Sequence, residues 1–85
     1  MSTEIKQKKL LFPEWLRLRR GIVNLNQSDI AKALGVTTQA VSTWEKGKAQ
    51  PSLTPYQTQQ LCLILGVTFD ELVKGFNEET EIYIK

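Results

Sequence analysis

Apolar residues recur at helical spacing in five short stretches of this chain, and each stretch is bounded by a proline, a glycine or a capping side chain. In "PEWLRLRRGIV", Leu16, Arg20 and Val23 share one face at i, i+4 and i+7 and predict a first helix over 13–23. Pro13 suits its first position and Glu14 the positive end of its dipole, while Gly21 weakens its last turn. Asn26 caps a second helix over 27–34, with Ile30, Ala31 and Leu34 inward and Gly35 just past its end. Thr37 caps a third over 38–46, which turns Val41 and Trp44 inward and stops at Gly47. The loop "KAQPSL" follows, punctuated by Pro51. "TPYQ" from Thr54 and "TFDE" from Thr68 both fit the reciprocal capping pattern of hydroxyl and N3 side chain. They open a fourth helix to about Leu65, closed by Gly66, and a fifth to about Lys74, closed by Gly75. The expectation is an all-α fold of five helices over 12–75, with a basic N-terminal arm at 1–11 and an acidic tail at 76–85. Ile82, Tyr83 and Ile84 in that tail read either as a short strand, a candidate for dimerisation, or as a loose end.

The segment Gln27–Lys48, "QSDIAKALGVTTQAVSTWEKGK", meets the steric demands of a helix-turn-helix. Two helices at a steep angle over a short turn pack only around a small contact residue, which Ala31 supplies. Gly35 supplies the turn residue that tolerates positive φ. Ile30, Leu34, Val36, Val41 and Trp44 fall at the inward positions that seal both helices. Seven positions therefore agree within one short segment.

These residues resemble the phage repressor/Cro-type helix-turn-helix family, also called the xenobiotic response element type. The resemblance runs from about Phe12 to Gly75 and is densest in "LNQSDIAKALGVTTQAVSTWEKGK" and "LGVTFDELVKG". It implies a lambda-repressor-like five-helix domain that binds double-stranded DNA, in which helix 27–34 crosses the backbone and helix 38–46 enters the major groove. It also implies that Gln27 meets a phosphate at the start of the second helix, that the loop carrying Lys46, Lys48 and Gln50 runs beside the backbone, and that Arg20 and Glu45 form a structural ion pair between the first and third helices. Glu45 left unpaired beside a groove would repel phosphate.

The face opposite Val41 and Trp44 carries Thr38, Gln39, Ser42 and Thr43, all uncharged hydrogen-bonding residues. Amides and hydroxyls discriminate base edges, glutamine pairing with adenine and threonine placing its methyl on thymine, whereas a merely solvated face would favour Glu and Lys. These four are the candidate base readers, Gln39 foremost.

Charge distribution adds a direction. Net charge over the 85 residues is only +2, but residues 1–26 hold six basic against two acidic side chains and residues 54–85 two against five. One end is thus basic and the other acidic, which orients a molecule toward a polyanion. Arg17, Arg19, Lys6, Lys8 and Lys9 are candidates for a basic flank and arm. With no histidine and one cysteine there is no disulfide, no metal-ligand cluster and no nucleophile–base pair, so no catalytic residue, metal or cofactor is expected. Cys62, in "LCLIL", reads as core and Leu63 as outward-facing. No apolar run approaches the roughly 20 residues that span a bilayer, so a cytoplasmic setting without membrane contact is expected, and the resemblance implies a bacterial or phage-encoded protein. The functional expectation is a sequence-specific transcriptional regulator, a repressor acting as a homodimer on a two-fold operator. The alternative is an antitoxin or adaptor module that uses the same scaffold to bind a toxin or other protein partner.

Overall fold

The computed structural model describes residues 6–76 and 80–84, with the side chains of 11–76. Five helices follow one another: α1 (Phe12–Ile22), α2 (Gln27–Leu34), α3 (Thr38–Glu45), α4 (Pro55–Leu65) and α5 (Phe69–Phe76). Two strands, β1 (Lys6–Leu10) and β2 (Thr80–Ile84), pair antiparallel with Lys6 opposite Ile84 and Leu10 opposite Thr80. The predicted arm and tail are therefore joined to each other over these residues as a two-stranded ribbon. The rest of both segments, residues 1–5, 77–79 and 85, lies outside the described residues.

Local chemistry sets the helix ends. The Asn26 side chain accepts from Asp29 N–H at 2.9 Å while Asp29 accepts from Asn26 N–H at 2.9 Å. Thr54 with Gln57, and Thr68 with Glu71, make the same reciprocal exchange at 2.8–3.1 Å. Gly35 sits at φ 71°, the left-handed conformation that ends α2 and lets the chain turn into α3. Helix α1 starts one residue earlier than its pattern implies: Phe12 takes the first position, Pro13 the second, and the Glu14 carboxylate accepts the Leu11 N–H at 3.2 Å. Helix α3 ends at Glu45, with Lys46 as its C-cap.

The core is built from Phe12, Trp15, Leu16, Ile30, Ala31, Leu34, Val41, Trp44, Leu61, Leu65 and Leu72. Val36 and Cys62 pack against it while staying partly exposed. Cys62, expected within the core, thus sits at its margin, where burial still pushes its thiol up from the ordinary range. Leu63 is 69% exposed. Phe12 stacks on Phe76 with ring centroids 4.2 Å apart, which ties α1 to the end of α5. Gly75 does not close α5. It lies inside the helix, buried, and a Cβ placed on it would come within 2.7 Å of the Trp15 ring. The helix continues through the glycine because an aromatic face occupies the space a side chain would need.

Candidate nucleic-acid interface

Helices α2 and α3 pack directly on each other, and α1 braces α3 from behind. The buried side of the unit is apolar: Ile30 and Val41 are fully buried, and Ala31, Leu34 and Trp44 nearly so. The opposite side of α3 presents Thr38 and Gln39 exposed, with Ser42 and Thr43 half-buried beside them. The Thr43 hydroxyl donates to the Gln39 carbonyl at 2.9 Å. Its hydrogen is thereby engaged, so the hydroxyl oxygen keeps only acceptor capacity. Lys46, Lys48 and Gln50, past the end of α3, are all exposed.

Behind this face lies a charged knot. Arg20 donates from Nε to Glu45 Oε2 at 2.7 Å and from Nη2 to Oε1 at 2.8 Å, a bidentate pair. Its Nη1 donates to the Leu25 carbonyl at 3.1 Å. Glu45 is 3% exposed and Arg20 21%. Gln27 Nε2 donates to the same Glu45 Oε1 at 2.9 Å. The knot therefore joins α1, the start of α2 and the end of α3, fixing α3 from both sides. It also engages one of the two Gln27 amide N–H bonds, leaving the other outside the knot.

The knot titrates in a definite direction. Burial alone would push the Glu45 carboxyl up, but the hydrogen bonds from Arg20 and Gln27 and the charges of Arg20 and Arg17 outweigh it, so its pKa lies below the ordinary value. The Glu45 hydrogen bond raises Arg20 in turn. A depressed folded-state pKa gives stability that is complete above the ordinary glutamate range and lost as pH falls through the folded value. Urea midpoints measured from pH 7 to 3 are expected to drop below about pH 4. The Glu45 share of that drop is its excess over the drop in Glu45→Gln; parallel curves for the two proteins would contradict it.

Two contacts were not legible in the sequence. Arg19, a candidate for the basic flank, instead turns its Nη2 to the carbonyls of Leu65 and Gly66, at 3.0 and 3.3 Å, and closes the end of α4. Gln57 donates to the Leu34 carbonyl at 2.9 Å and anchors α4 on the end of α2. Both partners are remote in sequence, so no local pattern announces them.

Residues 16–72 match the family described as helix-turn-helix. Over 64 residues the chain is 36% identical to the HTH-type transcriptional activator BcrR of Enterococcus faecalis, which covers 75% of this chain and 30% of that protein. It is 35% identical over 72 residues to the SPbeta prophage-derived HTH-type transcriptional regulator YonR of Bacillus subtilis, covering 85% of this chain and 65% of that one. A third relative, an HTH-type transcriptional regulator of Methanocaldococcus jannaschii, is 50% identical over 38 residues, covering 45% of this chain and 58% of its own. The matched stretch thus spans between about a third and two-thirds of these relatives. Among solved structures, the P22 c2 repressor protein in complex with a synthetic operator superposes with a TM-score of 0.64 at 30% identity, over 78% of this chain and 97% of that one.

Proposed function

The chain belongs to the helix-turn-helix family, and from that premise we propose that it is a sequence-specific, double-stranded-DNA-binding transcriptional regulator that reads the major groove with α3. One observation carries the reading. An uncharged ridge of amide and hydroxyl groups faces outward while Val41 and Trp44 lock the same helix from behind. The likeness to a repressor bound to its operator supports it further.

In this reading Gln39 pairs with a base edge, Thr38 and Ser42 supply hydrogen bonds, and Thr43 offers its methyl to thymine. Gln27, Lys46, Lys48 and Gln50 hold backbone phosphates, which set register without reading sequence. A single recognition helix contacts few base pairs, so the chain acts as a homodimer on half-sites spaced by about 34 Å, one helical turn. Its action is repression by occupying the operator, in the cytoplasm where that DNA lies.

Selection of bound duplexes from a random pool, at fixed salt, tests sequence reading and half-site spacing together. Gln39→Ala is then expected to lose about 1–3 kcal/mol of discrimination between selected and random duplexes while keeping its random-duplex affinity. Equal weakening on every duplex would move Gln39 from base reading to phosphate contact, and a pool with no enrichment would end the sequence-specific reading. Transcription from a promoter overlapping the selected site is expected to fall as protein is added; a rise would mark an activator.

A further inference from the structure

On α1, Pro13, Arg17 and Arg20 fall at i, i+4 and i+7 and form one stripe along the helix. Both ends of that stripe are fixed against the α3 unit. Pro13 Cγ lies 3.4 Å from where a Cβ on Gly47 would stand. Arg20 grips Glu45 at 2.7 Å. Arg17 lies between them, about 6 Å along the axis from Pro13 and about 4.5 Å from Arg20. It is exposed, and its charge acts on Glu45. The same side of the molecule carries Lys46 and Lys48 on a pinned backbone. Lys46 N–H donates to the Ser42 carbonyl at 3.0 Å, Gly47 N–H to Trp44 at 3.1 Å and Lys48 N–H to Thr43 at 3.1 Å. Ala49 and Gln50 continue this loop along the start of α1, lining a shallow cleft of about 370 Å³ with Leu11, Phe12 and Pro13.

We propose that Arg17 joins Lys46 and Lys48 as a seat for the phosphodiester backbone of DNA, so that α1 itself takes part in binding. The proposal rests on the DNA-binding reading above. Among the described residues no carboxylate forms an ion pair with Arg17, Lys46 or Lys48. The Glu45 carboxylate is consumed by Arg20 and Gln27, and the Glu14 carboxylate, three residues before Arg17, accepts the Leu11 N–H at 3.2 Å. The Arg20–Glu45 pair is the one ion pair among the described residues. Three like charges on one edge of a small fold gain nothing from one another, whereas a polyanion satisfies all three. A guanidinium, planar and always charged, matches the paired oxygens of a phosphate.

The test titrates the full chain with a selected and a random duplex across a salt series, well below the melting midpoint of every variant used. Losing one phosphate contact removes about 0.9 from the slope of log affinity against log salt, a loss of about fivefold at roughly 0.15 M. Arg17→Ala is expected to show both changes equally on the two duplexes, Arg17→Lys to keep the slope, and Lys74→Ala on α5 to leave both quantities unchanged. Wild-type slope and affinity in Arg17→Ala, or a loss confined to the selected duplex, would overturn the seat while leaving DNA binding intact. A wild-type chain that binds neither duplex would instead overturn the reading on which the seat rests.

Discussion

Gly75→Ala is expected to lower the melting midpoint sharply, although alanine is the better helix former. On an open helix surface the exchange stabilises by up to about 1 kcal/mol, because glycine loses more backbone freedom on folding. At Gly75 the new methyl would lie 2.7–2.9 Å from three fused-ring atoms of Trp15. Carbon atoms prefer about 3.5–4.0 Å, so either the indole or α5 must move. Trp15 is itself buried and stacks with Phe12, which also stacks with Phe76, so a shift of the indole disturbs the whole α1–α5 contact. Overpacking of this kind costs about 1–3 kcal/mol, and with three close contacts we place the net loss near 2 kcal/mol. In a domain of this size that is a fall of about 8–16 °C. Gly21→Ala is the internal control: it is also helical, and nothing lies within 4 Å of its added Cβ. Its midpoint is expected to rise. Trp15→Leu is expected to relieve the clash, so the double variant with Gly75→Ala loses less than the two single losses combined. Equal thermal responses at Gly21 and Gly75 would refute the close-approach account.

The same glycine marks where sequence pattern stopped being informative. A glycine after "ELVK" reads as a helix stop, because the local cost of glycine inside a helix is real and the Trp15 ring that justifies it is 60 residues away. The boundaries of α2 and α3 were legible for the opposite reason. Asn26, Gly35 and Thr37 act on their immediate neighbours, and the inward spacing of Ile30, Leu34, Val41 and Trp44 repeats within each helix. For α1 the face through Leu16, Arg20 and Val23 was visible, but the burial of Phe12 and Trp15 was not. They widen the apolar stripe to meet α5, whose position is tertiary. Polar contacts divide in the same way. The Arg20–Glu45 pairing came from family resemblance rather than from spacing. The third partner, Gln27, and the diversion of Arg19 to the end of α4 both needed coordinates. The ridge of Thr38, Gln39, Ser42 and Thr43 could be placed on one face from sequence. That the Thr43 hydroxyl hydrogen is turned back onto the backbone could not.

Arg20→Ala is expected to be the most damaging single change, and to reverse the direction in which pH acts on the fold. Glu45 is 3% exposed, so its charge has little access to water once Arg20 is gone. Breaking a buried pair by removing one partner costs about 3–5 kcal/mol, a large part of what a chain this small has in total. Burial is the largest single influence on the Glu45 carboxyl and acts to raise its pKa; with the Arg20 hydrogen bond and charge removed, Gln27 and Arg17 oppose it alone. The carboxyl is then expected to titrate above its unfolded-state value, with the folded state binding the extra proton. Stability attributable to this residue is therefore present at acid pH and lost as pH rises through the raised pKa, opposite in sign to the wild type. Urea midpoints at pH 4.5 and 7 separate the two cases: their difference, relative to wild type, is expected to favour the lower pH in Arg20→Ala. Adding Glu45→Leu to Arg20→Met removes both charges and is expected to recover most of the lost stability at pH 7. The recovered protein would lack the bidentate clamp that sets α3 against α1 and the carboxylate that holds Gln27. Its preference for the selected duplex is then expected to weaken even though Thr38, Gln39, Ser42 and Thr43 are all still present. Undiminished selectivity in that double variant would mean that apolar packing behind Val41 and Trp44 is enough to aim the reading helix, and that the charged knot contributes to folding alone.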